Sequence, residues 1–172
     1  MRCDLEKLSK EQLMEYCELL SKNWLAHDGL WFQAIEQDTD IETAMRYDIT
    51  AWKKFTQIEA RRIKKFLNLP DLPGIPGLVE ALKYRLYANI NKQETVNITE
   101  NSCEFHMNAC RVQTARNRKN LPDFPCKSVG VVEYGYFAKT IDPRIKTECI
   151  CCPPDVHPKE YYCAWRFTLE KS

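Results

Sequence analysis

Net charge is nearly absent from this chain. Its 172 residues carry 25 lysines and arginines against 24 aspartates and glutamates, a formal charge of +1. A balance this close excludes strong global attraction to nucleic acid or to a membrane surface. The basic residues are interspersed with acids and form no long patch, so no nucleic-acid partner is expected. No apolar run approaches membrane-spanning length, so no membrane partner is expected either. The opening Met1-Arg2-Cys3-Asp4-Leu5-Glu6-Lys7 is charged and lacks the apolar core of a secretion signal. The expectation is a cytoplasmic protein. Asn97-Ile98-Thr99, which matches a glycosylation acceptor, therefore carries no weight.

Cysteine is what the chain has in excess, with nine residues. In a reducing compartment these read as thiols or metal ligands rather than disulfides. Cys3 and Cys17 lie near the start, and the other seven all fall in the second half. The length suits a single domain, with a helical subregion over 1–91 and a Cys-rich α+β subregion over 92–172.

In the first half, Ser9-Lys10-Glu11-Gln12 has capping-box spacing, and Leu13, Cys17, Leu20 and Trp24 follow at helical intervals. Cys17 on that stripe reads as a small core residue. Asp28-Gly29 predicts the end of this helix or a kink, with a short helix through Trp31, Phe32 and Ile35 beyond it. Thr39-Asp40-Ile41-Glu42 offers a second capping box and opens a helix reaching to Leu67. Asp48 and Glu59 fall on the apolar face of that helix, where a carboxylate is costly unless paired. They are explained either by ion pairs with Arg46, Arg61, Arg62 or Arg85, or by a polar pocket that also includes His27. His27 and Asp28, between Trp24 and Trp31, present a second choice. They form a general base in an aromatic pocket, or a cap and a core, since neighbours on a helix point about 100° apart. Pro70 to Gly77 reads as a rigid turn, followed by a last helix carrying Leu78, Leu82, Leu86 and Ile90.

From Thr95 the apolar period falls to two. Val96 and Ile98 mark one strand, and Cys103, Phe105 and Met107 line a face of the next. Arg111 to Arg116 forms a short helix. Cys126 begins another that runs to Asp142-Pro143, and a thiol in a helix's first turn has a lowered pKa. A strand from Lys146 to Cys152 places Cys149 and Cys151 on one face, with Ile150 and Cys152 on the other. The final strand turns Tyr161, Cys163, Trp165, Phe167 and Leu169 inward. The fold class expected is α+β, with an N-terminal helical layer followed by an antiparallel sheet of about four strands covered by helices.

The thiols suggest two kinds of chemistry. Cys149-x-x-Cys152 has chelate spacing, and Cys110, Cys126, Cys163 and His157 are available as further ligands for a zinc site or, in second place, an iron–sulfur cluster. Cys149, Cys152 and Cys126 form the strongest set. The other chemistry is metal-free, with Cys126 or Cys152 as nucleophile, His157 as base, and Asp155 or Asp28 orienting it. Pro153, Pro154 and Pro158 would stiffen the loop that presents them. Arg111, Gln113, Arg116 and Lys127 are available to hold a carboxylate or phosphate. The bland alternative leaves Cys103, Cys110 and Cys163 as buried small hydrophobes.

These same motifs carry a resemblance. Trp24…His27-Asp28-Gly29-x-Trp31-Phe32, Cys110-Arg111-Val112-Gln113-x-x-Arg116, Phe124-Pro125-Cys126-Lys127 and Cys149-x-x-Cys152-Pro153-Pro154-Asp155 resemble an uncharacterised family of prokaryotic cytosolic proteins. The C-terminal unit, ending in Cys163-x-Trp165-x-Phe167, also resembles the L-2-amino-thiazoline-4-carboxylate hydrolase family and the 4-vinyl reductase domain. Those resemblances imply hydrolytic opening of a cyclic C=N compound and binding of a small hydrophobic ligand, respectively. Three functional classes follow. The first is a metal-binding protein with a small-molecule pocket, and the second a Cys/His hydrolase. The third is a ligand-sensing or interaction module, a homodimer for instance, built on the aromatic pocket around Trp24, Trp31 and Trp52.

Overall fold

A computed structural model describes residues 4–120 and 122–170; Cys3 lies outside them. Five α-helices and four strands follow in the order α1 (Lys10–Asp38), α2 (Ile41–Phe66), α3 (Gly74–Leu82), β1 (Lys92–Val96), β2 (Ser102–Ala109), α4 (Arg111–Asn117), α5 (Lys127–Ile141), β3 (Ile145–Cys151) and β4 (Cys163–Leu169). This is the expected α+β arrangement. Among the described residues no helix is long and apolar enough to cross a membrane.

The capping box at α1 is formed. Ser9 accepts from the Gln12 N–H, and the Gln12 side chain accepts from the Ser9 N–H at 2.9 Å. The predicted break at Asp28-Gly29 does not occur, because one glycine costs only about 1 kcal/mol, small against a helix of 29 residues. Cys17 is exposed rather than core. At the second start, Asp40 caps α2 by accepting from the Thr43 N–H at 2.6 Å, whereas Thr39 closes α1. The expected Pro-Gly turn already contains α3. Pro76 is tolerated there because first-turn N–H groups have no helical carbonyl to meet. That helix stops at Leu82, and a 3₁₀ turn spans Leu86–Asn89.

The sheet is antiparallel throughout, in the order β1-β2-β4-β3. β1 starts three residues before Thr95. Cys103, Phe105, Met107, Trp165 and Phe167 form the inner face, and Ala60, Ile63, Leu78, Leu82 and Phe137 from the helices complete one shared core. Gly130 lets α5 lie on Trp165: a Cβ there would meet the indole at 2.6 Å.

The strand with Cys149 departs from strict alternation. Cys149 pairs with Trp165 but Cys151 pairs with Ala164, an irregularity between them. Neighbouring β4 residues point to opposite faces, so Cys149 and Cys151 do too, contrary to the expected shared face. Cys152, just beyond, turns into the core and is 1% exposed. Tyr161 is likewise outside the expected inner row, stacking on His106 at 4.3 Å.

Candidate functional site

A cavity of about 740 Å³ opens where α1, α4, α5 and the sheet come together. Four thiols line it: Cys110, Cys126, Cys152 and Cys163. So do four carboxyls from three helices, Asp28 and Glu36 of α1, Asp48 of α2 and Glu133 of α5. Phe32, Tyr87, Tyr134 and Trp165 supply aromatic surface.

Each thiol is placed by a different local rule. Cys126 is the residue immediately before α5, where free N–H groups favour negative charge. The segment leading into it is held by Gln113, which is buried at 1% exposure. Gln113 donates to the Phe124 carbonyl at 3.0 Å, accepts from the Phe124 N–H at 2.8 Å, and also reaches the Cys126 sulfur at 3.6 Å. The turn after β3 brings the Cys152 Sγ to 3.6 Å from the Cys126 Sγ. A clamp fixes that turn to the helix start. Lys127 Nζ binds both Asp155 oxygens at 3.0 and 2.7 Å, while its N–H donates to the Pro153 carbonyl at 2.9 Å. Cys163 accepts from the Trp165 indole N–H at 3.4 Å. The hydrogen bond from Cys152 pulls the Cys126 thiol below its ordinary range, against the effect of burial. Cys152 moves the opposite way, since its hydrogen bonds to Cys126 and Cys163 leave it as the proton-bearing member. Burial pushes Cys110 up to about 12. The corner therefore biases Cys126 toward the thiolate and Cys152 toward the thiol.

Asp28, Asp48 and Glu133 are perturbed upward. Burial raises Asp28. Asp48 is pushed up to about 7, by burial first and then by repulsion from Asp28 and Glu133. Burial also raises Glu133, while Arg85 pulls it back. The Arg85 guanidinium is shared by two acids, with Nε 3.0 Å from Glu59 and a terminal nitrogen 2.6 Å from Glu133. All three are buried, at 2, 7 and 7% exposure for Arg85, Glu59 and Glu133. Neither Asp28 nor Asp48 is in an ion pair among the described residues.

The chain matches the family of unknown function DUF6125 over residues 6–169. It belongs to that family. No curated protein matches it.

Seven sequence-predicted residues meet in this family member's cavity: Asp28, Asp48, Cys110, Gln113, Cys126, Cys152 and Cys163. Arg111 and Arg116 stand at its rim, Arg116 donating to the Pro122 carbonyl at 2.7 Å. Cys149 does not join them. It lines a separate groove between α5 and β3. His157 faces Asp123 at 3.4 Å and the Pro158 carbonyl at 2.9 Å, outside the cavity lining. Asp155 is engaged by Lys127, so it steadies the turn instead of orienting an imidazole. Trp24 and Trp52 pack edge-on at 5.8 Å beside Phe55 and Tyr87, as core. Trp31 is exposed and donates to His27 Nε2 at 3.2 Å, pointing away from Asp28 as the helical angle requires. Glu133 and Tyr134 were not singled out from the sequence. Their signal was available, since Glu133 interrupts the buried stripe Val129, Gly130, Phe137 and Ile141 of α5.

For metal, the residues offer a partial set. Among the described residues no group of three or more His, Cys, Asp or Glu side chains is gathered to hold an ion. Sulfurs around zinc, at Zn–S of about 2.3 Å, are about 3.8 Å apart in a tetrahedron. The 3.6 Å between Cys126 and Cys152 fits one edge of such a site, and Cys163 and Cys110 are the other thiols on the same cavity wall.

Proposed function

We propose that this protein binds a small molecule in the thiol- and carboxyl-lined cavity, with zinc held at the thiol corner by Cys126 and Cys152 together with Cys163 and Cys110. The Cys126–Cys152 sulfur pair, set in the wall of a cavity of ligand size, is the observation that carries this reading. Four thiolates would close the tetrahedral shell of the zinc, so the metal would fix the thiol corner beside the ligand and would not offer an open Lewis-acid position. The chain's own residues do the rest. Gln113 and the Lys127–Asp155 clamp hold the two sulfurs, and the aromatic rings exclude water from the ligand's apolar part.

Full-length protein purified without chelator should contain about one equivalent of zinc per chain. Cobalt substitution should give thiolate charge-transfer absorption that weakens in both Cys126→Ser and Cys152→Ser. Metal-free, well-folded protein that shows no such absorption on adding cobalt would sink the metal reading.

A second reading is favoured by the lowered pKa of Cys126. Here its thiolate is a nucleophile toward a small electrophile, the hydrolytic opening of a cyclic C=N compound being the reaction its resemblance suggests. Iodoacetamide would then modify Cys126 well ahead of every other cysteine in metal-free protein. Uniform slow labelling counts against it.

A further inference from the structure

We infer that the ligand carries a cationic nitrogen head, an ammonium or amidinium, seated against Asp28, Asp48 and Glu133 and flanked by the rings of Tyr87 and Tyr134. The inference rests on the cavity being the ligand site, and is independent of zinc.

The charge count inside the molecule carries it. Arg85 is a single buried cation set between two buried acids. Glu59 balances it, taking its Nε–H at 3.0 Å and the Leu86 N–H at 2.9 Å. Glu133, nine-tenths buried and facing the cavity, then leaves one negative charge over. Asp28 and Asp48 add two more acids to the same wall, and no ion pair among the described residues answers them. Burying like charges without a counter-ion is expensive, and a cationic head relieves all three at once. Tyr87 and Tyr134 line the same cavity, held in place by Arg85 at 5.7 and 5.2 Å and by stacking on Trp52 and Trp165.

The rim bears Lys22, Arg111, Arg116, Arg118 and Lys119, which are cations too, Lys22 paired with Glu18 and Arg116 tied to the Pro122 carbonyl. Arg111, Arg118 and Lys119 are exposed, so salt and water screen them, whereas the inner carboxyls act through a poorer dielectric. The interior therefore sets the preference for the head, and the rim accommodates an anionic tail.

The test compares four ring compounds of similar size by calorimetry at pH 8: benzylammonium, benzamidinium, benzyl alcohol and benzoate. The two cations should bind, and Asp48→Asn or Asp28→Asn should weaken them about tenfold or more. Glu80→Gln, which removes a carboxylate outside the cavity, should retain them. Equal or better binding of benzyl alcohol or benzoate overturns the charge preference while leaving the cavity as a ligand site. Binding of none of the four overturns both. Cation binding unchanged in the folded Asp48→Asn and Asp28→Asn variants also refutes the assignment.

Discussion

Replacing Asp48 by asparagine should stabilise the protein at pH 8, although it removes a charged group. Asp48 sits among Asp28 of α1 and Glu133 of α5, with burial as the leading cause of its rise from 3.8 to about 7. A rise of that size corresponds to roughly 4 kcal/mol between the protonated and ionised forms. The side chain is half-buried, so solvent screening reduces the realised effect to about 1–2 kcal/mol. The sign follows from linkage. The unfolded chain releases this proton near pH 4 but the folded chain holds it to about pH 7, so folding is progressively disfavoured as pH rises between them. Above pH 7 the penalty is constant, and below pH 4 it vanishes. Asparagine keeps the shape and never ionises. Urea unfolding of both proteins at pH 4.5 and pH 8 isolates the effect, because the other titrating groups cancel in the difference. The variant should gain about 1–2 kcal/mol at pH 8, a melting temperature about 2–8 °C higher, and close to nothing at pH 4.5. A variant less stable than wild type at pH 8 would refute the view that Asp48 is an uncompensated carboxyl.

Two further substitutions test the frame that holds the site. Arg85→Met strands Glu59 and Glu133 without their cation and should cost about 3–5 kcal/mol, read as a lower urea midpoint; a loss under about 1 kcal/mol would mean the acids find other partners. Gly130→Ala puts a Cβ 2.6 Å from the Trp165 ring and should cost about 1–3 kcal/mol with a shift in tryptophan emission. An unchanged melting temperature and spectrum would show that α5 has room to move.

Much of the fold was legible because its signals are local. The Ser9–Gln12 box, the Cys103-Phe105-Met107 alternation and the start of α5 at Cys126 each depend on a few neighbouring residues, and each is present. The expected ion pair of Glu59 with an arginine is also there, with Arg85 chosen from four candidates. What failed locally did so for small energies: Gly29 was too weak a breaker, and Pro76 fell where a helix tolerates it.

The composition of the cavity belongs to tertiary structure. Sequence alone placed Cys126 at a helix start and Cys152 beside a turn, which is enough to make each thiol notable. It paired Cys152 with Cys149, because chelate spacing counts residues along the chain. One irregularity in β3 turned Cys152 from the expected outer face into the core, since strand side chains alternate and a single-residue shift exchanges the faces. Cys152 thereby came within 3.6 Å of a sulfur 26 positions away. The same holds for Asp28, Asp48 and Glu133. Each looks like an isolated acid on its own helix, and only the packing of three helices gives them a common field and Asp48 its shifted proton affinity.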